Sequence, residues 1–186
     1  MSSVRAFLAI PIPPQVKASI ERLQKHLAAQ IPDIRWTKPD NLHLTMHFFG
    51  DVSEETLEKI KVSMLSVKSC QQPFLVEVKG FGAYPSLRRP RVLWLGLQPE
   101  GQLRQLHEAC RKSLAQAGVM TDSRPFSPHV TIGRLKQQKP DLTDLFQAVD
   151  NTLISQLSVD RLVLFESCLR PEGAKHSPLL MVRFDD

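Results

Sequence analysis

Apolar residues recur along the chain with two periods, strict alternation and a spacing of three to four, and these periods predict its elements. Val4 to Ile10 reads as a buried strand. Pro11, Pro13 and Pro14 end it and open a helix over Gln15 to Ile31, with Val16, Ile20, Leu23, Leu27 and Ile31 at helical spacing. His43 to Gly50 is strand-like, and Asp51-Val52-Ser53-Glu54-Glu55 leads into a second amphipathic helix reaching about Val67, with Ser53 as its N-cap. Phe74 to Phe81 alternates as a strand, and Arg91 to Leu97 is a strand rich in Val, Leu and Trp. A third helix spans Glu100 to Ala117, with Leu103, Leu106, Cys110, Leu114 and Ala117 on one face and Gly118 as its stop. His129 to Leu135 is a strand, Asp141 to Val149 a short helix, Leu157 to Cys168 a strand, and Leu179 to Phe184 a closing strand.

The order of these elements repeats. Lys38-Pro39-Asp40-Asn41-Leu42-His43-Leu44-Thr45 and Arg124-Pro125-Phe126-Ser127-Pro128-His129-Val130-Thr131 share the pattern cation-Pro-x-x-x-His-x-Thr at an offset of 86 residues. The same offset, without a gap, lays Arg5 on Arg91, Phe7 on Leu93, Leu8 on Trp94, Pro13 on Pro99 and Ile20 on Leu106. Each half therefore reads strand, helix, proline-containing loop, His-x-Thr strand, helix. This predicts one α+β domain over residues 1–186, built from two pseudo-symmetric lobes with equivalent segments 4–66 and 90–149 and closing strands within 157–184. Equivalent sites of such a repeat are expected to face a shared central cleft.

Composition narrows the class without naming a partner. The 186 residues suit one domain or two joined lobes, and 42% hydrophobic with 23% charged residues argues against disorder. The net charge of +5 permits an anionic partner such as RNA or a nucleotide. The apolar stretch Ala6 to Ile10 is cut at Pro11, far short of the roughly 20 residues of a membrane span, so neither secretion nor a membrane is expected. Cys70, Cys110 and Cys168 lack any Cys-x-x-Cys pairing, which fits a reducing cytoplasm and thiols used as buried filler.

The repeated motif carries the candidate chemistry. With 6 His and 7 Thr in the chain, His-x-Thr arises by chance about 0.2 times; a single copy is most simply a packed or surface histidine, whereas two copies sharing context and offset point to a site. On a strand, residues two apart share a face, so each His projects with its Thr while Leu44 and Val130 point into the packing layer. A pair of imidazoles suits phosphodiester hydrolysis without a metal: one neutral ring takes a proton from water, and the other, protonated, donates to the leaving alkoxide. The threonine hydroxyls can hold non-bridging phosphate oxygens.

These residues resemble the 2H phosphoesterase superfamily, and within it the RNA 2',3'-cyclic phosphodiesterases, also called 2'-5' RNA ligases. The matching stretches are 4–10, 41–52, 90–96, 124–134 and 166–174, so the resemblance covers nearly the whole chain. It implies two lobes that are each an antiparallel sheet with helices on the outer face. It further implies His43 as general acid, His129 as general base, and Thr45 and Thr131 as phosphate-contacting hydroxyls. Water activated by His129 would attack the cyclic phosphate in line and His43 would protonate the departing 3' oxygen, leaving a 2'-phosphate. No metal and no other cofactor is implied. With a 5'-hydroxyl RNA in place of water, the same chemistry, which is reversible, would make a 2'-5' bond. Alternatives are a module that binds a nucleotide or RNA end without turnover, and a phosphodiesterase for another cyclic phosphate or a 2'-5' oligonucleotide.

Further contacts are expected from Arg134, Arg91 and Phe48. Strict alternation puts Arg134 on the face opposite His129, so a bulge at Gly133 or a reach around the strand end is required. Phe48 invites base stacking, although core is the default for a strand phenylalanine, and Trp94 likewise reads as core. Arg88, Arg89, Lys38 and Arg124 would make the cleft rim basic. His47 and His176 stand where relatives often have Lys and Tyr. His43 and His47 have a metal-ligand spacing only on a helix; on a strand they lie roughly 13 Å apart, which argues against zinc. His26 and His107 read as surface residues of helices. The expected partner is an RNA with a 2',3'-cyclic phosphate end or a small nucleotide, and the expected state is a monomer.

Overall fold

The computed structural model of the protein describes residues 3–31, 33–68, 71–122, 124–135, 141–147, 152–171 and 173–184. Cys70, the last two residues of the helix expected over 141–149, and Glu172 lie outside the described residues.

The elements follow as β1 (Ser3–Pro11), α1 (Pro14–Ala28), β2 (Ile34–Trp36), a single 3-10 turn at Pro39–Asn41, β3 (His43–Ser53), α2 (Glu54–Lys68), β4 (Phe74–Tyr84), β5 (Val92–Gln98), α3 (Glu100–Gln116), β6 (His129–Leu135), α4 (Thr143–Gln147), β7 (Leu153–Val159), β8 (Arg161–Arg170) and β9 (Gly173–Arg183). Local chemistry sets the helix ends where the sequence placed its signals. The Ser53 hydroxyl accepts the Thr56 N–H at 3.2 Å and caps α2. Gly118, at a φ of 72°, closes α3, and the Val119 N–H returns to the Leu114 carbonyl at 2.9 Å.

The strands form one sheet in the order β7-β4-β5-β6-β3-β1-β8-β9, with β2 added beside β6 and all pairings antiparallel. Read outward from the β6/β3 junction, the two wings are β6-β5-β4-β7 and β3-β1-β8-β9. The two wings meet through one residue pair, Leu44 opposite Val130. Both of these side chains are fully buried and join Ile20, Ile60, Leu103 and Leu106 in a continuous core under the sheet. Burial of each such chain is worth about 1.5–3 kcal/mol, so the junction is held mainly by packing on one face, leaving the other face for chemistry.

Three expectations change. The apolar run 157–168 is not one strand: it breaks at Asp160, because β7 pairs with β4 in one wing whereas β8 pairs with β1 and β9 in the other. β9 is longer than its closing apolar residues suggested, since Gly173 to Ser177, a stretch with no apolar alternation of its own, pairs with Arg170 to Glu166 of β8. Of the cysteines, Cys110 is buried, with its thiol pushed up to about 12 by desolvation, whereas Cys168 is exposed and is not filler. Among the described residues no helix is long and apolar enough to cross a membrane.

Candidate active site

The Leu44/Val130 pair aligns the two repeated motifs side by side. His43 and Thr45 on β3, and His129 and Thr131 on β6, line one cavity of about 610 Å³. Each imidazole is anchored in the same way. His43 donates its Nδ1–H to the Asn41 carbonyl at 2.8 Å, and His129 donates its Nδ1–H to the Ser127 carbonyl at 2.8 Å. A carbonyl can only accept, so the bond assigns the Nδ1 proton and leaves Nε2 as the working nitrogen of both rings.

Bulges complete the cavity wall. On β3, Thr45 pairs with Ala9 and His47 with Leu8, so Met46 is an extra residue and the alternation reverses beyond it. Phe48 is thereby carried onto the face of His43 and Thr45, where it is 46% exposed with the Arg5 guanidinium 5.0 Å from its ring centroid. On β6, Thr131 pairs with Trp94 and Gly133 with Leu93, so Ile132 is the extra residue and Arg134 swings onto the face of His129. The Ile132 carbonyl accepts the Thr37 N–H at 3.0 Å and the buried Gln24 Nε2 at 2.9 Å, which ties this bulge to α1 and to the end of β2. Gly133 leaves room for β2: a Cβ there would lie 2.8 Å from Ile34 Cγ2.

The surroundings of the two histidines differ. His43 packs against Phe7 at 4.8 Å and edge-on against His176 at 5.4 Å between centroids. Burial pushes its pKa down to about 4, with the His176 and His129 rings adding to the shift against the opposing bond to Asn41. His176, also lowered by burial, has its Nδ1 buried without a hydrogen-bond partner. His129 instead faces Tyr84 at 5.3 Å and Trp94 at 6.0 Å.

Most of the expected residues come together, and some do not. His43, Thr45, His129, Thr131, Arg134 and Phe48 all line the cavity, so Phe48 is not core. Arg91 does not: it is exposed at the mouth of β5, where its backbone bonds to Tyr84 and Leu135 hold the strand end. Of the expected rim cations only Lys38 reaches the cavity. Arg124 is bonded to Asp122, and Arg88 lies 4.0 Å from Asp141. The cavity's other cations are Arg35 and Arg170, which sequence reasoning missed because β2 is only three residues long and nothing in the sequence ties the β8–β9 turn to the two His-x-Thr strands. Trp94 is half-buried beside His129 and is not a core residue.

His47 and His107 form a separate cluster. His47 is 3% exposed, on the side away from the cavity, and donates Nε2–H to the His107 carbonyl at 3.2 Å. Its ring stacks on His107 at 4.1 Å, and His107 stacks in turn on Phe126 at 4.2 Å, so His107 is not a free surface residue. Burial, followed by the His107 ring, holds His47 down to about 4. Among the described residues, no group of three His, Cys, Asp or Glu is placed to hold a metal ion.

Comparison with known proteins bears on the whole chain. The sequence pattern described as LigT like Phosphoesterase matches it twice, over residues 10–94 and 95–175. A protein of Archaeoglobus fulgidus named RNA 2',3'-cyclic phosphodiesterase is 30% identical over 95% of this chain and 98% of its own length. One of the same name from Thermotoga maritima is 30% identical over 98% of this chain and 96% of its own. Among solved structures, a Thermus thermophilus protein superimposes with a TM-score of 0.82 at 27% identity, covering 97% of both chains. Escherichia coli LigT complexed with 3'-AMP superimposes with a TM-score of 0.78 at 25% identity over 100% of both chains. With the family pattern falling once on each half of the chain and full-length relatives at 30% identity, the protein belongs to the LigT-like phosphoesterase family.

Proposed function

We propose that the protein opens 2',3'-cyclic phosphate ends of RNA to 2'-phosphates by acid–base catalysis between His43 and His129. The observation that carries this reading is the matched pair of imidazoles, each fixed through Nδ1 to the carbonyl two residues upstream, sharing one cavity with both threonines. The names of the full-length relatives point to the same reaction class.

In the proposed cycle the phosphorus lies between the rings, with the Thr45 and Thr131 hydroxyls donating to its non-bridging oxygens. His129 Nε2 takes a proton from water as the oxygen attacks phosphorus. The bond from phosphorus to the 3' oxygen breaks, and His43 Nε2–H⁺ delivers its proton there, giving a 3'-hydroxyl and a 2'-phosphate. His43 in the free protein resists protonation because it is buried and faces other imidazoles. A bound phosphate anion reverses that balance, since a neighbouring negative charge favours the imidazolium. Substrate binding therefore charges the acid at the moment it is needed. With an RNA 5'-hydroxyl in place of water, the same path forms a 2'-5' linkage, and its reversal cleaves that linkage back to the cyclic phosphate.

A second assignment exchanges the two roles, and the neutral state of free His43 favours it, since a base must start unprotonated. The two assignments differ in which histidine becomes dispensable when the leaving group needs no proton. Incubating the protein and EDTA with a 2',3'-cyclic-ended RNA tests the function itself. Ring opening to a 2'-phosphate is expected; binding without ring opening would leave a nucleotide-binding module instead.

A further inference from the structure

The two carbonyls that orient the paired imidazoles are held by unlike means. Asn41 and Ser127 occupy equivalent positions, 86 residues apart. In the first half, the segment before β3 is a 3-10 turn: the Asn41 N–H donates to the Lys38 carbonyl at 2.9 Å and the Leu42 N–H to the Pro39 carbonyl at 3.2 Å. The Asn41 side chain also donates Nδ2–H to the Ala174 carbonyl of β9 at 2.9 Å. The carbonyl that receives His43 Nδ1–H is therefore fixed by its own turn and by the neighbouring strand.

The second half has no such turn. Pro125 and Pro128 carry no N–H, and among the described residues the backbone of 124–128 makes no hydrogen bond to other backbone. The Arg124 N–H donates to the Asp122 carboxylate at 3.0 Å where the segment starts. Its middle is held from α3. Arg104 donates Nη1–H to the Phe126 carbonyl at 2.6 Å, and is itself held by Nε–H to Glu100, one turn earlier on the helix, at 2.9 Å. His107, on the next turn, stacks on the Phe126 ring with 4.2 Å between centroids and 10° between planes. His107 stacks also on His47, which joins this grip to β3, the strand that carries the first motif. The residue after Phe126 is Ser127, whose carbonyl receives His129 Nδ1–H. Neither Arg104 nor His107 lines the active-site cavity.

We propose that Arg104 and His107 are positioning residues for His129: by gripping Phe126 through its carbonyl and its ring, they hold the Ser127 carbonyl in place and, through it, the Nδ1–H form of the His129 imidazole. A neutral imidazole that loses this acceptor shares its proton between the two nitrogens, and the Nε2–H form cannot take a proton from water at Nε2. For its effect on turnover the inference rests on the two-histidine reading, which it extends to residues that touch neither substrate nor reacting atoms.

The test compares wild type, His107→Ala, His107→Phe and Arg104→Met on a cyclic-ended RNA. In His107→Ala, kcat is expected to fall by about 10- to 100-fold, the cost of misplacing a reacting group by about 1 Å, while KM changes by less than about twofold. His107→Phe keeps a ring in the stack and leaves the backbone carbonyl that His47 bonds, so most of the rate should return. An equal loss of kcat in His107→Phe and His107→Ala, or a raised KM with kcat intact, would overturn the proposal. Arg104 is half-exposed, so Arg104→Met removes the bond to Phe126 without opening the core. It should lower kcat in the same way, and a wild-type kcat there would also overturn the proposal.

Nitrogen NMR of the histidine rings reads the tautomer without turnover. His129 Nδ1 should resonate as a protonated nitrogen in the wild type and move toward a mixture of tautomers in His107→Ala and Arg104→Met, while His43, held by its own turn, stays as it was. An unmoved His129 signal, or an equal move at His43, would overturn the positioning role. Failure of the wild type to open the cyclic phosphate, with the His129 change present in the variants, would count against the catalytic reading and leave the positioning standing.

Discussion

His43 and His129 hang from their strands by the same bond, Nδ1–H to a carbonyl two residues upstream, at 2.8 Å in both halves. Their neighbours are unlike. His43 is packed by Phe7 and His176 and held down to about 4, whereas His129 looks toward Tyr84, which is 39% exposed, and toward Trp94. The positions that the bulges turn into the cavity also differ: Phe48 in one half, Arg134 in the other, at the offset of 86 that relates the motifs. Duplicated backbone thus supplies matched geometry, and divergent side chains give the two rings unlike surroundings, as the proposed acid–base pair would need.

Breaking this arrangement at the imidazoles has the greatest consequence, and it is chemical. His43→Ala and His129→Ala should each lower kcat on a cyclic-ended RNA by about 10²–10⁴, the range for losing one general acid or base. The double variant should be little worse than either single one, because the two rings act as a unit. Single-turnover assays of the three proteins check both statements.

A smaller, structural effect separates the two bulges. Gly133→Ala places a Cβ against Ile34 and Trp36 and should cost about 1–3 kcal/mol of stability, read as a lower Tm. The equivalent position in the other half already carries a side chain, His47, which has its own buried stack on His107. Its replacement should not disturb β2.

Subtler still is a shift in pH dependence. A bell-shaped kcat/KM profile reports the free protein's groups, and its acid limb should lie near pH 4 rather than near 6.5, because the productive form carries one proton over the pair and burial delays the uptake of a further proton on His43 to about that value. His176→Phe keeps a ring beside Phe7 and removes one of the charges that disfavour protonated His43. The acid limb should therefore move to higher pH. An unchanged limb would mean that His176 does not act on His43.

The parts of this arrangement visible in the sequence are those with a local signature. The offset of 86 found both His-Thr pairs, the helix caps at Ser53 and Gly118 were readable from residue type, and the strand bearing His129 was placed at its ends. Bulges have no such signature when no glycine marks them. Gly133 hinted that Arg134 could turn inward, but nothing in Met46-His47 announced that Phe48 would do the same. Arg35 was missed because three residues are too few to show a period, and its place comes only from the strand across from it. The stack of His47, His107 and Phe126 joins residues far apart in the chain, where helical spacing alone makes His107 look solvated. The run 157–168 misled because its apolar pattern carries no mark of the crossing between wings at Asp160.

Unequal roles in a matched pair are exposed most sharply by a change of leaving group. A p-nitrophenyl phosphodiester departs without protonation, so it needs a general base but no general acid. Hydrolysis of this ester and of a cyclic-ended RNA should be measured in parallel for His43→Ala and His129→Ala. His43→Ala should lose the RNA reaction and keep most of the ester reaction, while His129→Ala should lose both. Retention of ester hydrolysis by His129→Ala instead, or equal loss in the two proteins, would overturn the assignment of His43 as acid and His129 as base.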